Sequence, residues 1–328
     1  MKPVAARPSA LVLMPTFNGE AFLREQIDSI LAQEDVDLYL LARDDGSSDA
    51  TPALLAELAA SNDRFTLLCD QRGRLGYAGN FAALLDAALL GEHRLFLLSD
   101  QDDLWQRSRA KRQIALLEST AGSGENRTPC MCHSDLSLID GEGHAISASF
   151  LSAMQIRHEA PARQLPTLLS QNFVTGCTVA MNRELLALAL PFSANARNHD
   201  HWLALCAACY GMLLFDPLPL VAYRQHKHNA IGASGIVQKL LRHPVKTLGR
   251  ALEHLDDTRR MALIANELLS RNPACLKDDA KRLLQSVVEI LSSGRSGIQK
   301  KRALQKIGVE PQNTQRRFYW MLSWILGR

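Results

Sequence analysis

The sequence predicts an α/β fold built on a doubly wound, mostly parallel sheet, followed by a helical extension. Three observations carry that prediction. Over roughly the first 120 residues, short apolar runs alternate with stretches of helical period. The runs are continuously apolar, as expected of strands covered on both faces. Polar or acidic clusters of a kind suited to a ligand end three of the four runs. They would collect at the carboxyl edge of the sheet, where open α/β sheets bind ligands.

The first run, "ALVLMP", is a buried strand, and "EAFLREQIDSILAQ" behind it places Phe22, Ile27, Ile30 and Leu31 on one helical stripe. "DLYLLARDDGSSD" is the second strand with its exit loop. Pro52 suits the first turn of the next helix, with Ser48 or Asp49 as its cap. "FTLLCD" is a third strand, "GNFAALLDAALLG" a helix, and "HRLFLLSD" a fourth strand. Beyond the loop "AGSGENRTPC" the rhythm is less regular. "CMCHSDLSLID" and "GCTVAMN" read as strands, "LPTLLSQNF" and "RELLALALPF" as helices, and "NHDHWLALCAACYG" as another helix. "MLLFDPLPLVAYRQH" reads as a strand pair or a strand and turn, "NAIGASGI" as a mobile loop, and the remainder as basic helices.

Composition bounds the function. The chain has 328 residues, 47% of them apolar, enough for a sizeable core. A formal net charge of +3 gives no electrostatic case for nucleic acid as a partner. Acids concentrate before about Asp140, and Lys and Arg after Gln238, which suggests a basic face toward the C-terminal end. The C-x-x-C at Cys206 and Cys209 lies in an apolar helix pattern with no second pair, so it reads as buried thiols rather than a zinc site. No signal-peptide pattern precedes the first strand, and no apolar stretch reaches the ~18 residues of a membrane span. The expectation is a cytoplasmic protein, soluble or peripheral on the inner face of the membrane.

The acids after the fourth strand raise the chemical question. Asp100, Asp102 and Asp103 within four residues repel one another and raise each other's pKa unless a cation neutralises them. Mg²⁺ or Mn²⁺ does so with oxygen ligands and then binds phosphate oxygens of a substrate. A solvated acidic loop is the bland alternative. Asp44 and Asp45 pose the same problem after the second strand. Gly46, Ser48 and Asp49 have local turn and cap uses, whereas the adjacent carboxylates suit the imide and ribose donors of a nucleoside.

The motifs "PTFNGEAFLREQIDSILAQ", "ARDDGSSDAT", "GYAGNFAALL", "LSDQDDLW" and "HDHW" followed by "YRQHKHN" together resemble family 2 glycosyltransferases. The resemblance covers roughly residues 9–230 and implies a GT-A-type mixed, mostly parallel sheet flanked by helices. Residues 1–232 would form the catalytic domain, with 1–120 holding the nucleotide sugar and 121–232 the acceptor. Residues 233–328 would form a helical basic region. The forms "DQDDLW" and "YRQHxxN" are most similar to bacterial rhamnosyltransferases that use dTDP-L-rhamnose.

Residue by residue, the resemblance implies a nucleotide pocket of Pro15, Thr16, Phe17 and Asn18, with Asp44 or Asp45 on base or ribose and Asn80 nearby. Asp100, Gln101 and Asp102 would form the D-x-D element, with Asp102 on the metal and Asp103, Trp105 and Trp202 around the donor. Asp200 would be the catalytic base, although His199 stands where the family commonly has an acid. His226 would complete the metal site, and His228 is a weaker candidate. An inverting transfer to a glycan or lipid-linked glycan acceptor follows, building cell-surface polysaccharide or lipopolysaccharide. Competing expectations are a UDP- or GDP-sugar donor, a nucleotidyltransferase (which would want a glycine-rich basic loop that "MPTFNGEAF" lacks), and an inactive nucleotide-sugar-binding protein.

Two further groups stand outside the motifs. His133 reads as a satisfied, half-buried histidine. "QRRFYWMLSWILGR" mixes Phe318, Trp320, Leu322, Trp324 and Ile325 with arginines, as an interfacial helix does, or a helix packed on the domain.

Overall fold

The computed structural model describes residues 7–122, 127–226 and 244–326. His228, "NAIGASGI", the boundary at residue 232 and the start of the basic region lie outside the described residues.

The four expected strands form one side of the sheet: β1 (Ser9–Thr16), β2 (Asp37–Asp44), β3 (Phe65–Leu67) and β4 (Leu95–Leu98). They lie parallel in the order β3-β2-β1-β4. Helices α1 (Leu23–Leu31), α2 (Thr51–Ser61) and α3 (Gly76–Leu90) connect them. The other side contains β5 (Leu104–Trp105), β6 (Cys130–Asp140), β7 (Ala145–Ser147), β8 (Ala180–Asn182) and β9 (Met212–Gln225). Here β8 is antiparallel to β4 and β6, β9 is parallel to β6, and β5 is antiparallel to β9. The sheet is therefore mixed, yet β1, β2, β4, β6 and β9 all point the same way. Their carboxyl ends share one edge.

Side chains on β1 divide by alternation, as the period-2 pleat requires. Leu11 and Leu13 enter one core, while Ala10, Val12 and Met14 enter the other. Between β4 and β6 run the two-residue β5 and helix α4 (Arg109–Ala121). Then come α5 (Phe150–Ala153), α6 (Pro161–Leu168), α7 (Arg183–Ala189) and α8 (His199–Tyr210). Helices α9 (Pro244–Arg271), α10 (Asp278–Ser292), α11 (Gly297–Lys306) and α12 (Thr314–Leu326) follow. Residues of α9 to α12 join the first core together with α3 and α6–α8.

Three local expectations change. "MLLFDPLPLVAYRQ" is one long strand, not a pair; its register against β6 shifts at Ser134–Leu136, opposite the two prolines that cannot donate to the ladder. "GCTVAMN" opens with a 3-10 turn at Gly176–Thr178, leaving only Ala180–Asn182 as strand. Neither Ser48 nor Asp49 is the cap of α2: the position is Ala50, and Asp49 instead accepts from the Thr51 and Glu20 amides at 3.0 and 3.1 Å. Cys130, Cys132, Cys177, Cys206 and Cys209 are buried free thiols, while Cys69 and Cys275 are exposed.

Candidate active site

The loop leaving β1 is held by side chains from its neighbours. Phe17 N donates to Gln101 Oε1 at 2.8 Å, and Gln101 Nε2 donates back to Phe17 O at 3.0 Å. A Cβ at Gly19 would meet that amide, so a larger residue there would push Gln101 off its pair of hydrogen bonds to Phe17. Asn18 has φ 49 and accepts from Ser48 N at 2.8 Å, which ties the loop to the β2 exit. Asn18 thus points to the neighbouring loop, and Gln101 acts on backbone. The Arg74 guanidinium lies 4.2 Å from the Phe17 ring centroid, a cation over an aromatic face.

At the end of β2 the two carboxylates part company. Asp44 folds into its own turn, accepting from Ser47 N at 2.8 Å and Thr16 Oγ1 at 3.1 Å. Asp45 is buried and accepts from Leu75 N and Gly76 N, each at 2.7 Å. Arg43, which the sequence reading passed over, joins this group together. Its guanidinium reaches Asp45 at 2.9 Å, Asp70 at 3.0 Å and Asn80 Oδ1 at 3.1 Å. Asn80 in turn donates to the Arg43 carbonyl at 3.2 Å. Arg43 holds the Asp70 carboxyl well below the usual range, with Arg72 adding to the effect.

The acids after β4 occupy three environments. Asp100 lines a cleft; burial, with Asp102 and Asp200 nearby, pushes its pKa up to about 7 against the opposing pull of Arg109. Asp102 lines the same cleft, and its Oδ2 meets His226 Nε2 at 2.7 Å. Asp103 points inward: Oδ1 accepts from Arg224 N at 3.1 Å, and Oδ2 is buried without a partner. Trp105 is core too, with Arg109 3.6 Å from its ring centroid. Trp202 is fully buried, donating from Nε1 to Ala189 O at 2.8 Å. The structure therefore places Asn18, Asp44, Asp103, Trp105 and Trp202 off the cleft wall.

Asp200 sits in the first turn of α8, where the helix dipole favours its anion. Burial works the other way and raises its pKa to about 6, while hydrogen bonds from His201 N and the Asn172 side chain lower it. His199 beside it is fully buried and stacked on Phe81 at 3.6 Å. Burial drives its pKa down to about 3, so it is a neutral ring and no substitute for an acid. Gly176 leaves it room: a Cβ there would lie 2.5 Å from His199 Nε2. His133 is fully rather than half buried, paired with His158 at 3.0 Å, and its Nδ1 has no partner.

Pro15, Thr16, Phe17, Asp45, Asn80, Asp100, Gln101, Asp102 and Asp200 converge on one cleft of about 670 Å³. The structure adds Arg74, Tyr77, Asn172 and, from α12, Arg316. Spacing gave no sign of Asn172 or Arg316.

The donor set at Asp102 and His226 fits a divalent ion. A carboxylate oxygen and an imidazole nitrogen suit Mn²⁺, and two protein ligands leave the other positions to water and phosphate oxygens. The trio Asp100, Asp103 and Cys177 brings ligand atoms within 4.8 Å. Burial pushes the Cys177 thiol far up, so it stays protonated and is a poor ligand. Asp140, Glu142 and His144 also cluster, but Asp140 is occupied in closing the β6–β7 turn.

Helix α12 turns Trp320 and Trp324 into the core and leaves Phe318, Met321 and Ile325 outside. Two of the five apolar residues that suggested an interfacial helix, Trp320 and Trp324, are thus core. No helix among the described residues is long and apolar enough to cross a membrane.

Comparison with known proteins agrees with this layout. Residues 11–124 match the family described as Glycosyl transferase family 2. The dTDP-rhamnosyl transferase RfbG of Shigella flexneri is 27% identical over 230 residues, 67% of this chain and 74% of that protein. WfgD of Escherichia coli, a UDP-Glc:alpha-D-GlcNAc-diphosphoundecaprenol beta-1,3-glucosyltransferase, is 26% identical over 197 residues, 59% of this chain and 68% of that one. A mannosyltransferase of Pyrobaculum calidifontis in complex with GDP-Man and Mn²⁺ shares the fold, with a TM-score of 0.54 at 15% identity over 98% of this chain and 86% of that one.

Proposed function

We infer that the chain is a family 2 glycosyltransferase of GT-A-type fold resembling rhamnosyltransferases, and that its cleft transfers L-rhamnose from dTDP-L-rhamnose to a hydroxyl of a lipid-linked or cell-surface glycan. One observation carries the reading: the β1 loop, the D-x-D carboxylates and Asp200 face a single cleft. The likeness to RfbG supports the donor, and the likeness to WfgD supports a lipid-linked acceptor.

In this reading Pro15, Thr16 and Phe17 seat the base, while Arg43, Asp45 and Asn80 hold the pocket's floor. Asp200 accepts the proton of the acceptor hydroxyl. The new C–O bond forms on the far face of the sugar as the bond to the diphosphate breaks. The bonding pair leaves on the diphosphate oxygen, so the anomeric centre inverts. A carboxylate whose pKa is raised to about 6 is ionised at neutral pH and more basic than an ordinary one. Asp102 and His226 would hold a divalent ion, which when bound neutralises charge on the leaving diphosphate.

Thermal unfolding against dTDP, UDP and GDP ligands, each with Mn²⁺, Mg²⁺ or EDTA, tests this reading. A metal-dependent rise with dTDP or dTDP-rhamnose is expected. A rise with UDP or GDP alone would keep the transferase and discard rhamnose. No rise with any nucleotide would sink the donor site. Binding without turnover of any donor would favour a nucleotide-sugar-binding protein. Peripheral membrane contact would use Phe318, Met321 and Ile325, one face of α12 at i, i+3 and i+7.

A further inference from the structure

Arg316 brings a cation to the cleft from a helix remote in sequence from the motifs. It lines the same cavity as Asp100, Asp102 and Asp200. Its Nη1 makes one long hydrogen bond, 3.4 Å to Asn172 O. Among the described residues no carboxylate pairs with it, and burial alone moves its pKa, downward. Its neighbour Arg317 is by contrast paired with Glu310 at 3.0 Å. A half-buried cation without a counter-ion is costly to keep.

The fold nevertheless fixes it in place. Asn313 Oδ1 accepts from Arg316 N at 2.8 Å. Gln312 stitches the preceding turn to the cleft wall: its N donates to Gln171 Oε1 at 2.9 Å, and its Nε2 to Arg157 O at 2.7 Å. The Asn172 side chain bonds Asp200, so Arg316 stands on the side of the proposed base. Arg74, over Phe17, marks the nucleotide side. Met154, Ile156 and Phe173 also line the cavity, an apolar surround in which a charge-assisted pair is strong.

We propose that Arg316 binds an anionic group of the acceptor, either a phosphoryl group of its carrier or a carboxylate of an acidic sugar, beside the hydroxyl that Asp200 deprotonates. The proposal rests on the reading of Asp200 as the base and adds the acceptor's charge to it.

The test uses the full chain and probes that need no turnover. Binding of phenoxyundecyl diphosphate is compared with that of phenoxyundecanol, and binding of methyl glucuronide with that of methyl glucoside. The expected result is tighter binding of the charged member of one pair, and that pair identifies the anion. Arg316→Ala should lose roughly tenfold or more of that affinity, and Arg316→Lys less. Neither the neutral probes nor dTDP should change. Arg316→Gln keeps a donor for Asn172 O and guards against a folding defect. Equal binding of charged and neutral probes by wild type, or unchanged binding by Arg316→Ala, would overturn the proposal. So would loss of dTDP affinity with the probes retained. If wild type binds no nucleotide, the donor reading fails by itself, and the probe comparison still decides Arg316.

Discussion

The two walls of the cleft are made differently. Pro15–Phe17, Asn80 and Asp100–Asp102 come from parallel strands β1 and β4 and the start of α3, and Arg43 on β2 braces them. Asn172, Gly176, Asp200 and Arg316 come from a loop, a 3-10 turn and the first turns of two helices. On the first wall, position follows from chain order, because the end of a parallel strand has one place to go. On the second, position follows from packing between segments far apart in sequence. Chemistry that must stay constant suits the first arrangement. Chemistry that varies with the partner suits the second, since a loop or helix start can change without disturbing a strand.

The sharpest way to break this comparison is at Asp200. Asp200→Asn should lower turnover about a hundredfold to ten-thousandfold in a donor-consumption assay and leave dTDP affinity intact. Retained turnover would remove the second wall from the chemistry. On the first wall, Arg43→Met should destabilise by about 3–5 kcal/mol in urea unfolding, because it strands Asp45 and Asp70 without their shared cation.

His226→Ala should weaken Mn²⁺-dependent nucleotide binding about tenfold or more, with little change in EDTA. An equal loss in EDTA would mean that the histidine serves the fold alone.

The pH dependence separates the walls more gently. Asp200 must be ionised to act, so kcat/KM should rise with pH through about 6 and level above it, and Asp200→Asn should lose that limb. Asp100 and Tyr77 are the titratable groups that feel its charge. Because the folded pKa lies above the unfolded one, ionising Asp200 subtracts stability as pH rises from about 4 through about 6. Asp200→Asn should then be more stable than wild type at pH 7.5, by about 1–3 kcal/mol. The smallest effect concerns the exterior. Replacing Phe318, Met321 and Ile325 with serine should reduce flotation with anionic vesicles and leave the unfolding midpoint and dTDP affinity nearly unchanged.

The legibility of the sequence follows the same division. Strands β1, β4 and most of β2 were readable because burial on both faces leaves an unbroken apolar run, and the acids behind β2 and β4 marked the ligand edge; β3, at the edge of the sheet, leaves Thr66 exposed. Which acid faces the ligand was not readable. Asp44 and Asp45 are adjacent, yet one closes its own turn and the other grips the Leu75–Gly76 backbone. Asp102 and Asp103 divide in the same way. Arg43 escaped notice because an arginine at a strand end resembles any solvated charge until its three partners are seen. Arg316 and Asn172 carry no local signal at all. Their placement depends on Gln312 bridging segments remote in sequence. Asp200 was found only through the family pattern, and the neutral, stacked His199 explains why a ring can stand where an acid is common.

The Gln312 stitch has a consequence in time. Chains are made and fold from the N-terminal end. The residues of the wall proposed for the nucleotide are all made before residue 316, while the anion clamp waits for α12 to dock. Because α3 behind the first wall shares its core with α9 to α12, the grips on donor and acceptor are completed by the same last packing event.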